Sequence, residues 1–560
     1  MFKDHPKGLF VAFFANMGER FGFYTMVAIF VLFMQAKYGM TAGAAGQIYG
    51  SFMFFVYFFP LLGGFLADRY FGYGRTISLG LVVMFIGYLL LAIPTTMDSG
   101  FGLVVTALGV IALGTGLFKG NLQALVGKMY DDPQYSPNRD RAFSIFYMGI
   151  NIGAMFAPTA AETINNWILS KAHYFYDNRI PALANQFLKD KLADAGAYLS
   201  IAQMQDPSVT IATLASFSEN YINVLSKSYH YGFGVACFSL IISMIIFWSF
   251  RKYYKHADFM AHQKAKQQAS TIKVEELTPE QTKERLIALG LVFFVVIFFW
   301  MSFHQSGLTM TYFARDYTQP SVDKLTNLWF DLFGLLPILL TLVGLYFLLR
   351  KGSSNLVRMG GAATLIIFGI LAYLRYNTYG DVNPFTPQKF QHFNPFFIVA
   401  LTPVVVAFFG FLNKKKMEPS APRKIGTGML ITASAFLLLA FGSYGLLSPH
   451  QLAGQVAPTD MLVSPYWLIS TYFILTIAEL FLSPMGISFV AKVAPPQYKG
   501  LMQGGWFAAT ALGNYLLIVG GYLWDAVPLW ILWLIFVTCC LLSATFIFSV
   551  MKRLERTTHS

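Results

Sequence analysis

Residues 9–36 read LFVAFFANMGERFGFYTMVAIFVLFMQA. A bilayer core about 30 Å thick is crossed by roughly 20 apolar residues at about 1.5 Å of helical rise each, and this run exceeds that length. Yet it carries Glu19 and Arg20 near its middle. Lys3 and Lys7 ahead of it resemble a signal-peptide n-region, but the apolar stretch continues to about Met34, too long for an h-region, and no small-residue cleavage pattern follows. The stretch therefore reads as a retained first transmembrane helix with a charged pair at bilayer depth. Working outward by the same criterion, further spans fall near 44–68, 76–96, 101–128, 141–167 and 229–251. The second half adds 284–313, 327–349, 356–376, 395–413, 425–447, 465–491, 499–523 and 527–552. The chain is expected to be an all-α polytopic membrane protein of about 14 helices.

Composition agrees. Of 560 residues, 56% are hydrophobic, 17% aromatic and only 12% charged, and the mean hydropathy is +0.54. Those values exclude a water-soluble enzyme and a disordered chain. The net charge of +13 does not point to nucleic acid, because the basic residues sit in short loops: Arg69 to Arg75, Lys128 to Arg141, Arg251 to Arg285, Arg350 to Arg358 and Lys414 to Lys424. All fall on the side of the termini, while opposite loops such as Ser448 to Ser464 carry almost no Lys or Arg. The positive-inside rule then places both termini in the cytoplasm of a multi-pass protein of the cell (inner) membrane. Cys237, Cys539 and Cys540 lie in apolar stretches without disulfide or metal-ligand spacing, so no metal is expected. Residues 168–228 form a polar outer region long enough for short amphipathic helices. The basic segment after Arg251 reads as a cytoplasmic linker, with Thr278-Pro279-Glu280-Gln281 as the capping box of the next helix.

No GxxxxGK[ST] phosphate loop, HExxH, GxSxG or repeated pore loop is present. What remains is a secondary transporter of two related halves, with no enzymatic role and no cofactor beyond an ion gradient. The expected organisation is a six-helix bundle over 1–251, a linker over 252–283, and a second six-helix bundle over 284–560 with an inserted hairpin at 327–376.

Charges inside spans cost at least about 2.5 kcal/mol each, so they mark substrate or ion pathways by default. The candidates are Glu19 and Arg20 beside Asn16, then Lys119 in G-T-G-L-F-K-G-N, His304-Gln305 and Glu479. The alternative is a buried ion pair that only holds helices together. Asp331 lies close to the polar start of its helix, which suits an interface position. Asp68-Arg69 ends the second helix at the cytoplasmic face, where it is expected to serve gating.

Gly63-Gly64-Phe65-Leu66-Ala67-Asp68-Arg69, followed by Gly72 and Arg75, resembles the loop signature of the major facilitator superfamily. Phe143-Ser144-Ile145-Phe146-Tyr147-Met148-Gly149-Ile150-Asn151-Ile152-Gly153 resembles the fifth-helix signature of the proton-dependent oligopeptide transporter family. Glu19-Arg20-Phe21 resembles the end of that family's ExxER motif. Asn394-Pro395-Phe396-Phe397-Ile398, Glu479-Leu480 with Ser483-Pro484, and Trp506-Phe507 resemble its eighth, tenth and eleventh helices. The resemblance implies a major-facilitator fold and import of di- or tripeptides with protons by alternating access. It further implies a peptide carboxylate held by Arg20 and Lys119, its ammonium by Glu479 with Asn151 and Asn394, and a pocket lined by Tyr24, Tyr57 and Trp506. Glu19, His304 and Glu479 would couple protons; Asp68, Arg69 and Lys119 would gate. The partners would be peptide, protons and lipid, and the working unit a monomer.

Three positions depart from the family pattern. The first glutamate of ExxER is Asn16, an arginine later in helix one is Val27, and a helix-seven glutamate is His304. In the family the last two pair across the outer gate, so their joint loss leaves no unpaired buried charge. These changes leave open an exchanger or symporter of another small zwitterion or anion, and a sensor that binds without transporting. The inserted hairpin also falls between the seventh and eighth spans, where bacterial members usually insert it between the sixth and seventh.

Overall fold

The computed structural model describes residues 5–192, 194–258, 277–350, 352–452, 455–495 and 498–559. Fourteen helical segments among them are long and apolar enough to span a membrane. The first bundle contains α1 (Lys7–Tyr38), α2 (Ala42–Leu66), α3 (Tyr73–Ala92), α4 (Phe101–Met129) and α5 (Arg139–Lys171). Two short helices, α6 (Ile180–Leu188) and α7 (Ala195–Gln205), follow outside it, and α8 (Leu214–Ser249) completes it. The sixth span thus begins 15 residues before the expected Tyr229. Its first turns are polar enough to read as loop, but Phe217, Tyr221, Ile222 and Leu225 recur at helical spacing and are buried. Most of the expected linker, residues 259–276, lies outside the described residues.

The second bundle opens at α9 (Pro279–Phe303). Its predicted capping box is present: Gln281 N donates to Thr278 Oγ1 at 3.2 Å and Thr278 N to Gln281 Oε1 at 3.0 Å. The seventh span is not one continuous helix. A 3-10 turn at His304–Gly307 separates α9 from α10 (Thr309–Asp316). Lys324–Phe330 (α11) precedes the hairpin helices α12 (Leu332–Leu349) and α13 (Asn355–Tyr376). Then come α14 (Phe393–Lys414), α15 (Ala421–Gly442) and α16 (Tyr466–Val493). The eleventh span is split into α17 (Lys499–Tyr515) and α18 (Leu517–Trp524), and α19 (Leu529–Ser549) and α20 (Met551–His559) end the chain. One side chain bridges the two breaks: Gln305 Nε2 donates to Met301 O at 3.2 Å and to Leu517 O at 3.4 Å. Side chains thereby replace the backbone bonds that the breaks remove, the condition for irregular backbone at membrane depth.

Close helix packing within the bundles relies on small residues. A Cβ at Gly80 of α3 would lie 2.8 Å from Gly114 O of α4, a contact only glycine permits. Between bundles, α2 packs on α17 and α18, and α5 packs on α14 and the 3-10 segment Pro387–His392.

The inserted hairpin stands apart. α12 and α13 pack on each other and on α11, and only 6% of the apolar window of α13 is buried, as expected for a lipid-facing element. Its base is closed by antiparallel pairing of Ser321–Val322 with Asn383–Pro384. Asp331 is not a solute site. It N-caps α12 through Phe333 N at 3.0 Å, pairs with Arg375 Nε at 2.5 Å and accepts the Tyr379 hydroxyl at 2.8 Å. Asp331→Ala is expected to cost about 2 kcal/mol, from a lost cap and a lost hydrogen bond to a charged group. Limited proteolysis should then cut the hairpin, while solute uptake remains at the parental level.

Candidate functional site

A cavity of about 230 Å³ lies between the bundles. Its walls come from α1, α2, α4 and α5 on one side and α9, α14, α16 and α17 on the other. Arg20, Tyr24, Tyr57, Lys119, Asn151, His304, Asn394, Glu479 and Trp506, nine of the sequence candidates, all line it. Residues scattered over more than 480 positions thus converge on one space. At about 230 Å³ the cavity is smaller than common ligand pockets of about 300–1,000 Å³, which restricts it to a small solute.

The cavity is sealed at the face away from the termini and open toward the face that carries them. Toward the sealed end, Tyr49 and Tyr472 are each 2% exposed. Toward the other end, Ile487 lines the cavity yet is 53% exposed.

The charges are arranged unequally. Arg20 is already paired: its Nε and Nη2 donate to Glu19 Oε2 and Oε1 at 2.5 Å each. The pair is buried, with side chains 3% and 0% exposed, and Arg20 also stacks over Phe23 at 4.5 Å. Glu19 itself is not part of the cavity wall, whereas its partner Arg20 is. Lys119 differs. Its ammonium sits 3.7 Å from the centre of the Tyr57 ring and has no carboxylate within ion-pair distance among the described residues. Lys119 and Glu479 do not form an ion pair in this conformation. Glu479 instead accepts Asn394 Nδ2 at 2.9 Å and the Tyr147 hydroxyl at 3.2 Å. Asn394 also donates to Thr476 Oγ1 at 3.1 Å, and Asn151 Nδ2 to Tyr147 O at 3.0 Å. The cavity thus has an uncompensated cation on the first bundle and a carboxylate cradled by neutral donors on the second.

His304 is placed by the helix break. It stacks on Trp300 at 4.9 Å, and its Nδ1 donates to Asn514 Oδ1 at 2.5 Å. Trp506 rests against Gly486, where a Cβ would collide with the indole. Asp68 and Arg69 lie outside the cavity at the terminal face, in a π-helical turn over Ala67–Phe71. Asp68 accepts the Tyr73 hydroxyl within the first bundle. Asn16 is buried with its Nδ2 unpartnered. Tyr147, Asn514 and Trp300 were not singled out as site residues by the sequence. A Tyr one helical turn before Asn151 was the available signal for the first; Trp300 lines the cavity and stacks on His304, and Asn514 enters through its hydrogen bond to His304.

The sequence model of the POT family (PTR2) matches residues 74–274 and 381–528, more than half of the chain. The chain belongs to the POT family. Among POT relatives, the dipeptide and tripeptide permease B of Xenorhabdus bovienii (strain SS-2004) is 27% identical over 516 residues, covering 92% of this chain and 86% of that protein. The uncharacterized transporter YclF of Bacillus subtilis (strain 168) is 26% identical over 534 residues, covering 94% and 90%. Two solved structures share the fold. The peptide transporter POT in complex with sulfate superposes with a TM-score of 0.65 at 22% identity, covering 100% of this chain and 96% of the other. A POT family transporter in complex with 5-aminolevulinic acid gives 0.67 at 17% identity, covering 99% and 98%. The expected major-facilitator architecture of two bundles is therefore the fold of this POT chain, with the hairpin added to it.

Proposed function

We propose that this chain imports di- and tripeptides together with protons by alternating access, in the cell membrane with both termini cytoplasmic. The observation that carries the reading is the two-pole cavity: Lys119 without a carboxylate on the first bundle, and Glu479 on the second, held there by Asn394 and from across the cavity by Tyr147. A zwitterionic backbone fits such a site end to end, carboxylate on Lys119 and ammonium on Glu479, because both contacts are charge-assisted. Side chains then meet the aromatic wall at Trp506, Tyr24 and Tyr57, which grips no particular chemistry. Relatives described as dipeptide and tripeptide permeases support the substrate class. The basic loops on the terminal face support the orientation, and the transport unit is taken to be the monomer. No catalytic role or cofactor is assigned; the proton gradient is the driving force, acting through Glu19, His304 and Glu479. A second reading, transport of another small zwitterion, draws on the family structure that holds 5-aminolevulinic acid.

Labelled dialanine uptake into proteoliposomes tests the proposal. Accumulation under an inward proton gradient that collapses with a protonophore is the expected result. Counterflow without accumulation would remove proton coupling and keep the peptide site. No dialanine signal in either mode would overturn the peptide reading.

A further inference from the structure

Eleven side-chain ion pairs join described residues, and a single one of them, Lys389 with Glu162, connects the two bundles. Its place is informative. Asn151, Ala154 and Pro158 of α5 line the central cavity, and Glu162 is the next residue on that face, one turn toward the sealed end. On the other bundle, Gln391 and Asn394 line the cavity, and Lys389 and Thr386 precede them in the chain. Lys389 Nζ lies 2.7 Å from Glu162 Oε2. Glu162 Oε1 accepts both Thr386 N at 3.1 Å and Thr386 Oγ1 at 2.9 Å. The side chains of Lys389 and Glu162 are 13% and 9% exposed. The carboxylate is therefore held by three donors, all from the opposite bundle.

Local structure prepares this contact. Thr386 caps the 3-10 segment Pro387–His392 with its backbone extended, so its N–H is not consumed by the helix and points outward. Pro387 at the first position has no N–H to compete.

Two further positions of the cavity wall, Val27 and His304, make no ion pair between the bundles among the described residues. Val27 is apolar and buried, and His304 bonds to Asn514 of its own bundle. We infer that Glu162, Lys389 and Thr386 form the latch that closes the outer gate of this chain, and that they act as positioning residues for alternating access. A transport cycle must break and remake every contact between the bundles at the sealed end. A buried pair whose partners lie wholly on opposite bundles sets the relative population of the closed-outside state, since separating it exposes a carboxylate and an ammonium to water. Other hydrogen bonds between the bundles at that end have at most one charged partner: Gln35 Oε1 accepts Arg315 Nη1 at 2.5 Å, Arg315 O accepts Asn178 Nδ2, and Gln47 Oε1 accepts the Tyr522 hydroxyl at 3.2 Å.

The inference rests on the alternating-access reading, but its test needs no transported solute. Spin labels at Ser170→Cys and Val382→Cys, both exposed near the sealed face, would be placed in a background with Cys237, Cys539 and Cys540 replaced by Ala. Electron–electron double resonance then reports the separation of the bundles at that face in reconstituted full-length protein. The parental pair should show mostly the short distance. Glu162→Gln and Lys389→Met should each raise the ratio of long to short populations at least tenfold, and the swap Glu162→Lys/Lys389→Glu should restore much of the short one. Unchanged distances in both single variants would overturn the latch. So would a swap no better than the singles in protein that remains monodisperse and cooperatively unfolding. Failure of dialanine uptake with the expected distance shifts would instead fault the substrate reading and leave the latch standing.

Discussion

Lys119→Met is expected to lower kcat/KM for dialanine about 100-fold without lowering thermal stability. The side chain is half-buried, and its ammonium faces an aromatic ring 3.7 Å away with no carboxylate within ion-pair distance among the described residues. A desolvated cation–π contact returns about 2 kcal/mol, whereas removing an ammonium from water costs several kcal/mol. Methionine of similar length fills the same space without that cost, so the midpoint of unfolding in detergent should hold or rise. The bound carboxylate, by contrast, loses a charge-assisted interaction of about 1.5–3 kcal/mol, which corresponds to roughly 10- to 150-fold. Uptake kinetics in proteoliposomes and a thermal melt on the same preparation separate the two effects. Parental uptake by Lys119→Met would remove Lys119 from the substrate site. Lost uptake with a collapsed melt would make it a structural residue.

Glu19→Gln is expected to do the reverse to stability. The Glu19–Arg20 pair is buried, with side chains 0% and 3% exposed, and removing one member of such a pair leaves an uncompensated charge at a cost of about 3–5 kcal/mol. The unfolding midpoint should fall accordingly. In transport, the variant should lose proton-driven accumulation of dialanine and retain counterflow, because the cavity wall at Lys119 and Glu479 is untouched. The double variant Glu19→Gln/Arg20→Gln should recover most of the stability, since neither charge is then stranded, yet remain uncoupled. Undiminished accumulation by Glu19→Gln would sink the proton role of Glu19 and leave the pair as a fastening of α1. The result also decides what Arg20 does. Two of its guanidinium nitrogens are held by Glu19 in this conformation, so it can take a substrate carboxylate fully only when that pair loosens.

Much of this molecule is legible in its sequence. Fourteen spans, the first helix, the capping box at Thr278 and the hairpin between the seventh and eighth spans all follow from segments read one at a time. Apolar length against bilayer thickness and the start signals of helices are local properties, so a local reading recovers them. The ends that were missed have local reasons too. The polar first turns of α8 hide a helix that tertiary packing holds, and the breaks at His304 and Leu516 are stabilised by Gln305 reaching between them.

The site was legible in its membership and not in its pairing. Charges in apolar runs pointed to Arg20, Lys119, His304 and Glu479, which the structure brings to one cavity, and to Glu19, which lies outside its wall, because the membrane makes such residues costly wherever they occur. Which of them are satisfied, and by what, depends on contacts far apart in the chain. Arg20 is paired and Lys119 is not; Glu479 is held by Asn394 and Tyr147; Thr386 reaches Glu162 across 224 positions. Glu162 and Lys389 lie near polar segment ends, where a charge costs little and carries no signal. The sequence by itself determined how many times the chain crosses the bilayer and which residues are expensive there, since both follow from transfer of each segment out of water. Only the tertiary structure decided which charges find partners, because in a low-dielectric interior that outcome is set by distances of a few ångströms between helices.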